Sequence, residues 1–342
     1  VIMYVTRHLL VILSLYLLIS NPSYSSNIEK CIGDFMSYRN SNIAAGVAEK
    51  HMPQLLLAEP VPSDRTVVLI HGLYESPYFL KGIARRFAAS GYNVVSLRLT
   101  GHWARGWQDL DTVSYRDWVA DTETGLSIAT CLGPKVVVAG HSLGGTLALH
   151  AALADPRRVS ALVLLAPAIE LELLPTLGGL LGTLTGLDGN LFTGMPANGD
   201  ESARISGRPV IQLYELLQHI GQRFGDSLPL ESPLVKRDMR LSYLHVGSRV
   251  QVPTFGVVPE RDPAINWRET VRLLRQISGP TRHIIYPPES AVWHANVAKS
   301  KIDAYRTAPG DYNPSFDALM DQIVPFVNDS VSARGTSSWP TR

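Results

Sequence analysis

Ser142 lies in Gly140-His141-Ser142-Leu143-Gly144, directly after the apolar run Lys135-Val136-Val137-Val138-Ala139. The run reads as a short buried strand, and Leu147 to Leu153 reads as a helix. A serine between two glycines on a strand-to-helix turn is a candidate nucleophile. The turn exposes its hydroxyl, and side chains at Gly140 or Gly144 would collide with neighbouring backbone. The helix that follows aims its free N–H groups and the positive end of its dipole at any anion formed there.

A serine hydroxyl needs a base, an acid to orient that base, and donors for the oxyanion. Thr66 to Ile70 reads as a buried strand, and His71-Gly72-Leu73 follows it. Gly72 lets the backbone turn close to the serine, so the Leu73 and Leu143 N–H groups can hold an oxyanion together. In an open parallel sheet the ligand binds beyond the carboxyl ends of the strands, so acid and base are expected after later strands. Pro253 to Val258 is such a strand, and Glu260-Arg261-Asp262-Pro263 follows it. Asp262 is the expected acid, with Glu260 the alternative; Pro263 biases Asp262 towards an extended conformation. His283 to Tyr286 is the next strand and leads to His294, the expected base. His283 begins its strand and so points to the other end of the sheet; it reads as an edge or surface histidine. His141 reads as packing or tuning the turn rather than as the base.

The chain order Ser142, Asp262, His294 resembles that of the α/β-hydrolase superfamily. More narrowly, the chain looks like the serine esterase and monoacylglycerol-lipase-like branch, also known as serine aminopeptidase-like. The resemblance runs from about Val61 to Val331. It is carried by His71-Gly72, Gly140 to Gly144, Asp262, His294 and the stretch Arg98-Leu99-Thr100-Gly101-His102-Trp103. That branch often has D-x-x-G-H-G in this last place; here Arg98 replaces the Asp and Trp103 the final Gly. The resemblance implies hydrolysis of a carboxylic ester through an acyl-enzyme, with no cofactor. Thioester or amide hydrolysis, aminopeptidase activity and acyl transfer would use the same residues. A catalytically silent binding protein is the alternative of another class. Haloalkane dehalogenation is disfavoured, because its nucleophile would be an Asp at position 142.

Composition narrows the classes further. The chain has 342 residues, 45% hydrophobic and 18% charged, which suits one large α/β domain with an insertion. The net charge of +1, with no basic run, implies no nucleic-acid partner. The spacing of His and Cys suggests no metal site, and no phosphate-cradling loop is evident. The expected partner is a small-molecule acyl ester.

At the N-terminus, Arg7 and His8 precede the apolar stretch Leu9 to Ile19, and Asn21-Pro22-Ser23-Tyr24-Ser25-Ser26 follows. This reads as an export signal over residues 1–26, cut near Ser25 or Ser26. The apolar run is shorter than the span of about 20 residues that a bilayer requires. The alternative is an uncleaved anchor, which would be the chain's membrane contact. Export would let Cys31 and Cys131, the two cysteines of the chain, form a disulfide that pins the N-terminal segment to the core.

Strand and helix alternate from Thr66 onward, which predicts a mostly parallel sheet with helices on both faces. The expected strands are Thr66–Ile70, Asn93–Leu97, Val136–Ala139, Ala161–Leu165, Thr254–Val258 and His283–Tyr286, with a weaker one near Gln54–Leu57. Expected helices include Pro77–Ser90, Tyr115–Thr130 capped by Ser114, and Phe316–Val327. Residues 168–245 break the alternation and read as a mainly helical cap. Its apolar start, Leu171 to Gly182, could line an acyl pocket, and a helix is expected at Val210–Arg223. The core would then comprise residues 27–167 and 246–330, and residues 331–342 read as a disordered tail.

Overall fold

The computed structural model describes residues 22–59, 63–104, 107–171, 207–226, 241–242, 244–260, 262–304, 308 and 310–333. Seven strands form one sheet: β1 (Gln54–Leu56), β2 (Arg65–Ile70), β3 (Asn93–Leu97), β4 (Lys135–His141), β5 (Ala161–Leu165), β6 (Thr254–Pro259) and β7 (Thr281–Tyr286). Their order is β1-β3-β2-β4-β5-β6-β7. β1 runs antiparallel to β3 and every other pair is parallel. The central strands are Val- and Leu-rich without alternation because both faces are covered; every residue of β3 and β5 is buried.

The chain proceeds from β2 to β3 on one side, then crosses to β4 on the other. The crevice between the carboxyl ends of β2 and β4 is therefore a topological switch point, where open parallel sheets bind ligands. Register places the parts of the site. Ile70 of β2 pairs with Gly140 of β4, which sets the His71-Gly72-Leu73 turn beside Ser142. Pro259 of β6 pairs with Tyr286 of β7, so the loops carrying Asp262 and His294 leave the sheet side by side.

The helices are α1 (Pro22–Ala44), α2 (Lys81–Ala89), α3 (Tyr115–Leu132), α4 (Leu143–Ala154), α5 (Arg208–Phe224), α6 (Trp267–Gln276) and α7 (Phe316–Ala333). Helix α4 is buried from Leu143 to Ala152, as an Ala-, Gly- and Leu-rich helix without a polar face must be. Ser114 caps α3 and forms a capping box with Asp117, which satisfies donors the helix start would otherwise leave open. The expected helix at Pro77 begins instead as a 3₁₀ turn, Pro77–Leu80, before α2. Ser76 caps this turn by accepting from the Tyr78 N–H, and Pro77 sits at its first position, where a missing N–H costs nothing.

Helix α1 is absent from the sequence reading. It begins at Pro22, inside the segment read as a signal, and runs through the expected cut. Its anchors are long-range. Cys31 is bonded to Cys131 at the end of α3, with Cα atoms 5.6 Å apart. Tyr38 donates its hydroxyl to the Arg98 carbonyl at 2.7 Å and accepts the Arg98 N–H at 3.1 Å. The buried Arg98 guanidinium donates to Asn42 Oδ1 at 2.8 Å and to the His102 carbonyl at 2.7 Å. The Arg that departs from the D-x-x-G-H-G pattern thus serves a contact with α1. Trp103, the other departure, adopts φ 51°, a region glycine enters freely, and stacks on His51 with ring centroids 3.9 Å apart.

Of residues 168–245, helix α5 is the main described part. It packs beside α3 and α4: Gln212 Oε1 accepts the Tyr115 N–H at 2.9 Å, and the His219 ring lies 5.5 Å from that of His150. Past Leu171, the run to Gly182 lies outside the described residues. Residues 1–21 and 334–342 lie outside them too, while α7 continues to Ala333, three residues into the expected tail. Among the described residues, no helix is long and apolar enough to cross a membrane.

Candidate active site

Ser142 caps the start of α4 with φ 52° and ψ −117°. A side chain resists this conformation, and it persists here because the surrounding backbone dictates it. A Cβ on Gly140 would stand 2.1 Å from the Gly144 carbonyl oxygen, and one on Gly144 would stand 2.0 Å from that of Ile70. Only glycine fits either position. The Ser142 N–H donates to the Leu165 carbonyl at 3.0 Å, and the Ser142 carbonyl accepts from Thr146 and Ala168. The turn is therefore tied to both β5 and α4.

His294 Nε2 lies 2.9 Å from Ser142 Oγ, and His294 Nδ1 lies 2.6 Å from Asp262 Oδ2. A carboxylate accepts, so Nδ1 carries the proton, and the bare Nε2 accepts the hydrogen bond of the Ser142 hydroxyl. The Asp262 side chain is fully buried, and its Oδ1 accepts from the Ala264 and Ile265 N–H groups at 2.9 and 3.1 Å. These two bonds fix the carboxylate, so the imidazole is oriented by a group that is itself oriented. Glu260 and His283 are not in this cluster; the Glu260 N–H donates to the Tyr286 carbonyl, and His283 sits on edge strand β7.

Leu73 follows Gly72, where an added Cβ would lie 3.2 Å from Ser142 Cβ, and Leu143 follows Ser142 itself, so both amides belong to the turns that meet at the serine. Neither amide N–H donates to an acceptor among the described residues, although Leu143 is fully buried. Buried backbone donors are nearly always paired, so such an N–H beside a nucleophile is available to an incoming oxygen. The peptide before Leu73 is clamped at both ends. The Gly72 N–H donates to Glu75 Oε2 at 3.0 Å, and His71 Nδ1 donates to the Gly72 carbonyl at 2.8 Å. The His71 tautomer follows from its other nitrogen, which accepts the Leu99 N–H at 3.0 Å. Burial pushes the His71 ring down to about 4, so it stays neutral in this role.

Glu75 was missed by sequence reasoning. Its carboxylate receives Gly72 and His141, and it pairs with Lys299 Nζ at 3.2 Å. A lone Glu in a loop carries no periodicity, and only its offset of three from Gly72 could have drawn attention. Among the described residues, no group of His, Cys, Asp and Glu is placed to hold a metal ion.

Comparisons with known proteins bear on this geometry. The model of the Hydrolase_4 family, described as serine aminopeptidase, S33, matches residues 61–290. The thermostable monoacylglycerol lipase of a Bacillus species is 34% identical over 107 residues, covering 30% of this chain and 42% of that protein. The monoacylglycerol lipase of Mycolicibacterium smegmatis is 30% identical over 182 residues, covering 52% of this chain and 64% of that protein. The chain thus spans less than two thirds of the length of these relatives. Among solved structures, the monoacylglycerol lipase of Paleococcus ferrophilus superposes with a TM-score of 0.55 at 17% identity, covering 81% of this chain and 98% of that one. At that identity the likeness is one of fold.

Proposed function

Since this chain belongs to the serine aminopeptidase S33 family of α/β-hydrolases, we propose that it is a serine hydrolase cleaving carboxylic esters through an acyl-enzyme on Ser142. One observation carries the reading: the bare Nε2 of His294 stands 2.9 Å from Ser142 Oγ, with Asp262 behind it. His294 takes the serine proton as Oγ attacks the ester carbonyl. The Leu73 and Leu143 N–H groups hold the resulting oxyanion, each contributing about 3 kcal/mol to lowering the barrier. The tetrahedral species collapses, the C–O bond to the alcohol breaks, and His294 returns its proton to the leaving oxygen. Water then enters, gives a proton to His294 and attacks the acyl carbon; the acid departs and Ser142 recovers its proton. Asp262 stabilises the imidazolium in both half-reactions and takes no proton itself.

The substrate class is a small-molecule acyl ester. The names of the relatives, monoacylglycerol lipases, support it, as does their 30–34% identity. We read residues 168–245 as a cap that selects the acyl group, and residues 1–26 as an export signal, with membrane anchoring the alternative. The Cys31–Cys131 bond supports export, because such bonds persist in oxidising compartments. A panel of p-nitrophenyl esters, monoacylglycerols, thioesters and aminoacyl amides, run with wild type and Ser142→Ala, tests the activity. Esters are expected to be turned over fastest, and the Ser142→Ala protein to be inactive on them. Wild-type turnover by Ser142→Ala, or amides cleaved in preference to every ester, would overturn the reading.

A further inference from the structure

Behind the nucleophile lies a buried cluster of charge that the proton transfers above do not use. His141, one residue before Ser142, is buried, with Nδ1 2.8 Å from Glu75 Oε2 and Nε2 2.8 Å from the main-chain carbonyl of His294. A carbonyl oxygen only accepts, so Nε2 must carry a proton. Glu75 Oε2 also accepts the Gly72 N–H, so as a carboxylate it needs a proton on Nδ1 as well. We infer that His141 is a doubly protonated positioning residue, which bolts the oxyanion turn to the loop carrying the base and so fixes both relative to Ser142. The inference rests on the proposed ester hydrolysis and deepens it.

The groups facing His141 are the Glu75 carboxylate, the His294 ring with its centroid 5.2 Å away, and the His71 ring, which burial keeps neutral. Burial pushes the Glu75 carboxyl up, but the charges of His141 and Lys299 overcome this and hold it well below the usual carboxylate range. The Lys299 ammonium pairs with Glu75 Oε1 and lies 4.6 Å from the centre of the Phe79 ring. A buried charge is tolerated when it is paired and hydrogen-bonded, and each member of this set has a partner. The connections explain why a second histidine stands so near the site. Through Glu75, His141 reaches the Gly72 N–H, whose neighbour Leu73 supplies an oxyanion donor. Through Nε2 it holds the backbone of the base itself. His294 must keep one nitrogen on Asp262 and the other on Ser142, and a shift of about 1 Å in such a geometry costs roughly 100-fold in rate.

The test is nitrogen NMR of protein labelled at the histidine rings, joined to kinetics on p-nitrophenyl butyrate. The His141 signals are assigned by their loss in His141→Gln. In the wild type at the pH of maximal activity, both ring nitrogens of His141 are expected to carry protons. In Glu75→Gln one of these protons is lost, and kcat falls about 100-fold with KM within about twofold of wild type. A wild-type His141 with one bare nitrogen overturns the inference, because Glu75 would then be the proton donor of a neutral pair. So does a folded Glu75→Gln protein with wild-type kcat. If that variant does not fold, the wild-type spectrum alone decides. The spectrum needs no substrate, so it stands or fails separately from the proposal that this protein cleaves esters.

Discussion

Ser142 and Gly72 show how closely single atoms are specified around the site. A Cβ at Gly72 would lie 2.9 Å from Glu75 Oε2, 3.0 Å from His141 Nδ1 and 3.2 Å from Ser142 Cβ. Gly72→Ala must therefore push the oxyanion turn away from the serine. We expect it to lower kcat by roughly 100-fold, as loss of one oxyanion donor does, while circular dichroism stays that of wild type. Asp262→Asn keeps the shape of the acid but places an amide where His294 Nδ1 donates. It is expected to reduce kcat about ten-thousand-fold by favouring the wrong imidazole tautomer, read from esterase assays. The meeting of Ser142, His294 and Asp262 was legible because each follows a recognisable strand, at the carboxyl end of the sheet. Glu75 and the partners through which His141 holds the turn were not. Their meaning arises from contacts across 66 and 153 residues of chain, which no local pattern encodes.

At the level of elements, the sheet was the readable part and the N-terminal segment the unreadable one. Continuous Val and Leu runs of strand length, separated by helical stretches, admit few solutions other than a parallel sheet covered on both faces. Helix α1 has a thinner signature: Ile28, Cys31, Phe35 and Tyr38 recur at helical spacing, but singly among Ser, Asn, Lys, Glu and Arg. It is held by Cys31–Cys131 and by Tyr38 and Asn42 on the Arg98 loop. The disulfide closes 100 residues of chain, so its loss enlarges the unfolded ensemble considerably. Replacing both cysteines with serine is expected to destabilise the protein by about 4–5 kcal/mol, measured as a lower urea midpoint. An unchanged midpoint would mean that this bond contributes little to the stability of the fold.

For the molecule as a whole, the buried histidines set an acid limit. Desolvation is the main force pushing His51, His71 and His150 down to about 4, and neighbouring cations add to it. The unfolded chain titrates its histidines near 6.5, so between about 6.5 and 4 it binds more protons than the folded state. Stability from these groups is complete above about 6.5 and is lost as the pH falls towards 4, His71 alone accounting for up to about 3 kcal/mol. Asp121 acts in the opposite sense. Burial pushes it up to about 6, so its contribution is present below its unfolded value and disappears as the pH rises through 6. Burial raises the Asp303 carboxyl in the same sense as Asp121 and lowers His102 in the same sense as the other histidines, so the histidines outweigh the carboxyls, and thermal unfolding is expected to move to lower temperature between pH 7 and pH 5. We propose that the β2–β4 crevice makes Ser142 a nucleophile. Treating the protein with a fluorophosphonate and measuring intact mass and the labelled peptide checks this. One adduct per chain, on Ser142 and absent from His294→Ala, is the predicted result. No adduct, or one elsewhere in a protein that still cleaves esters, would contradict it.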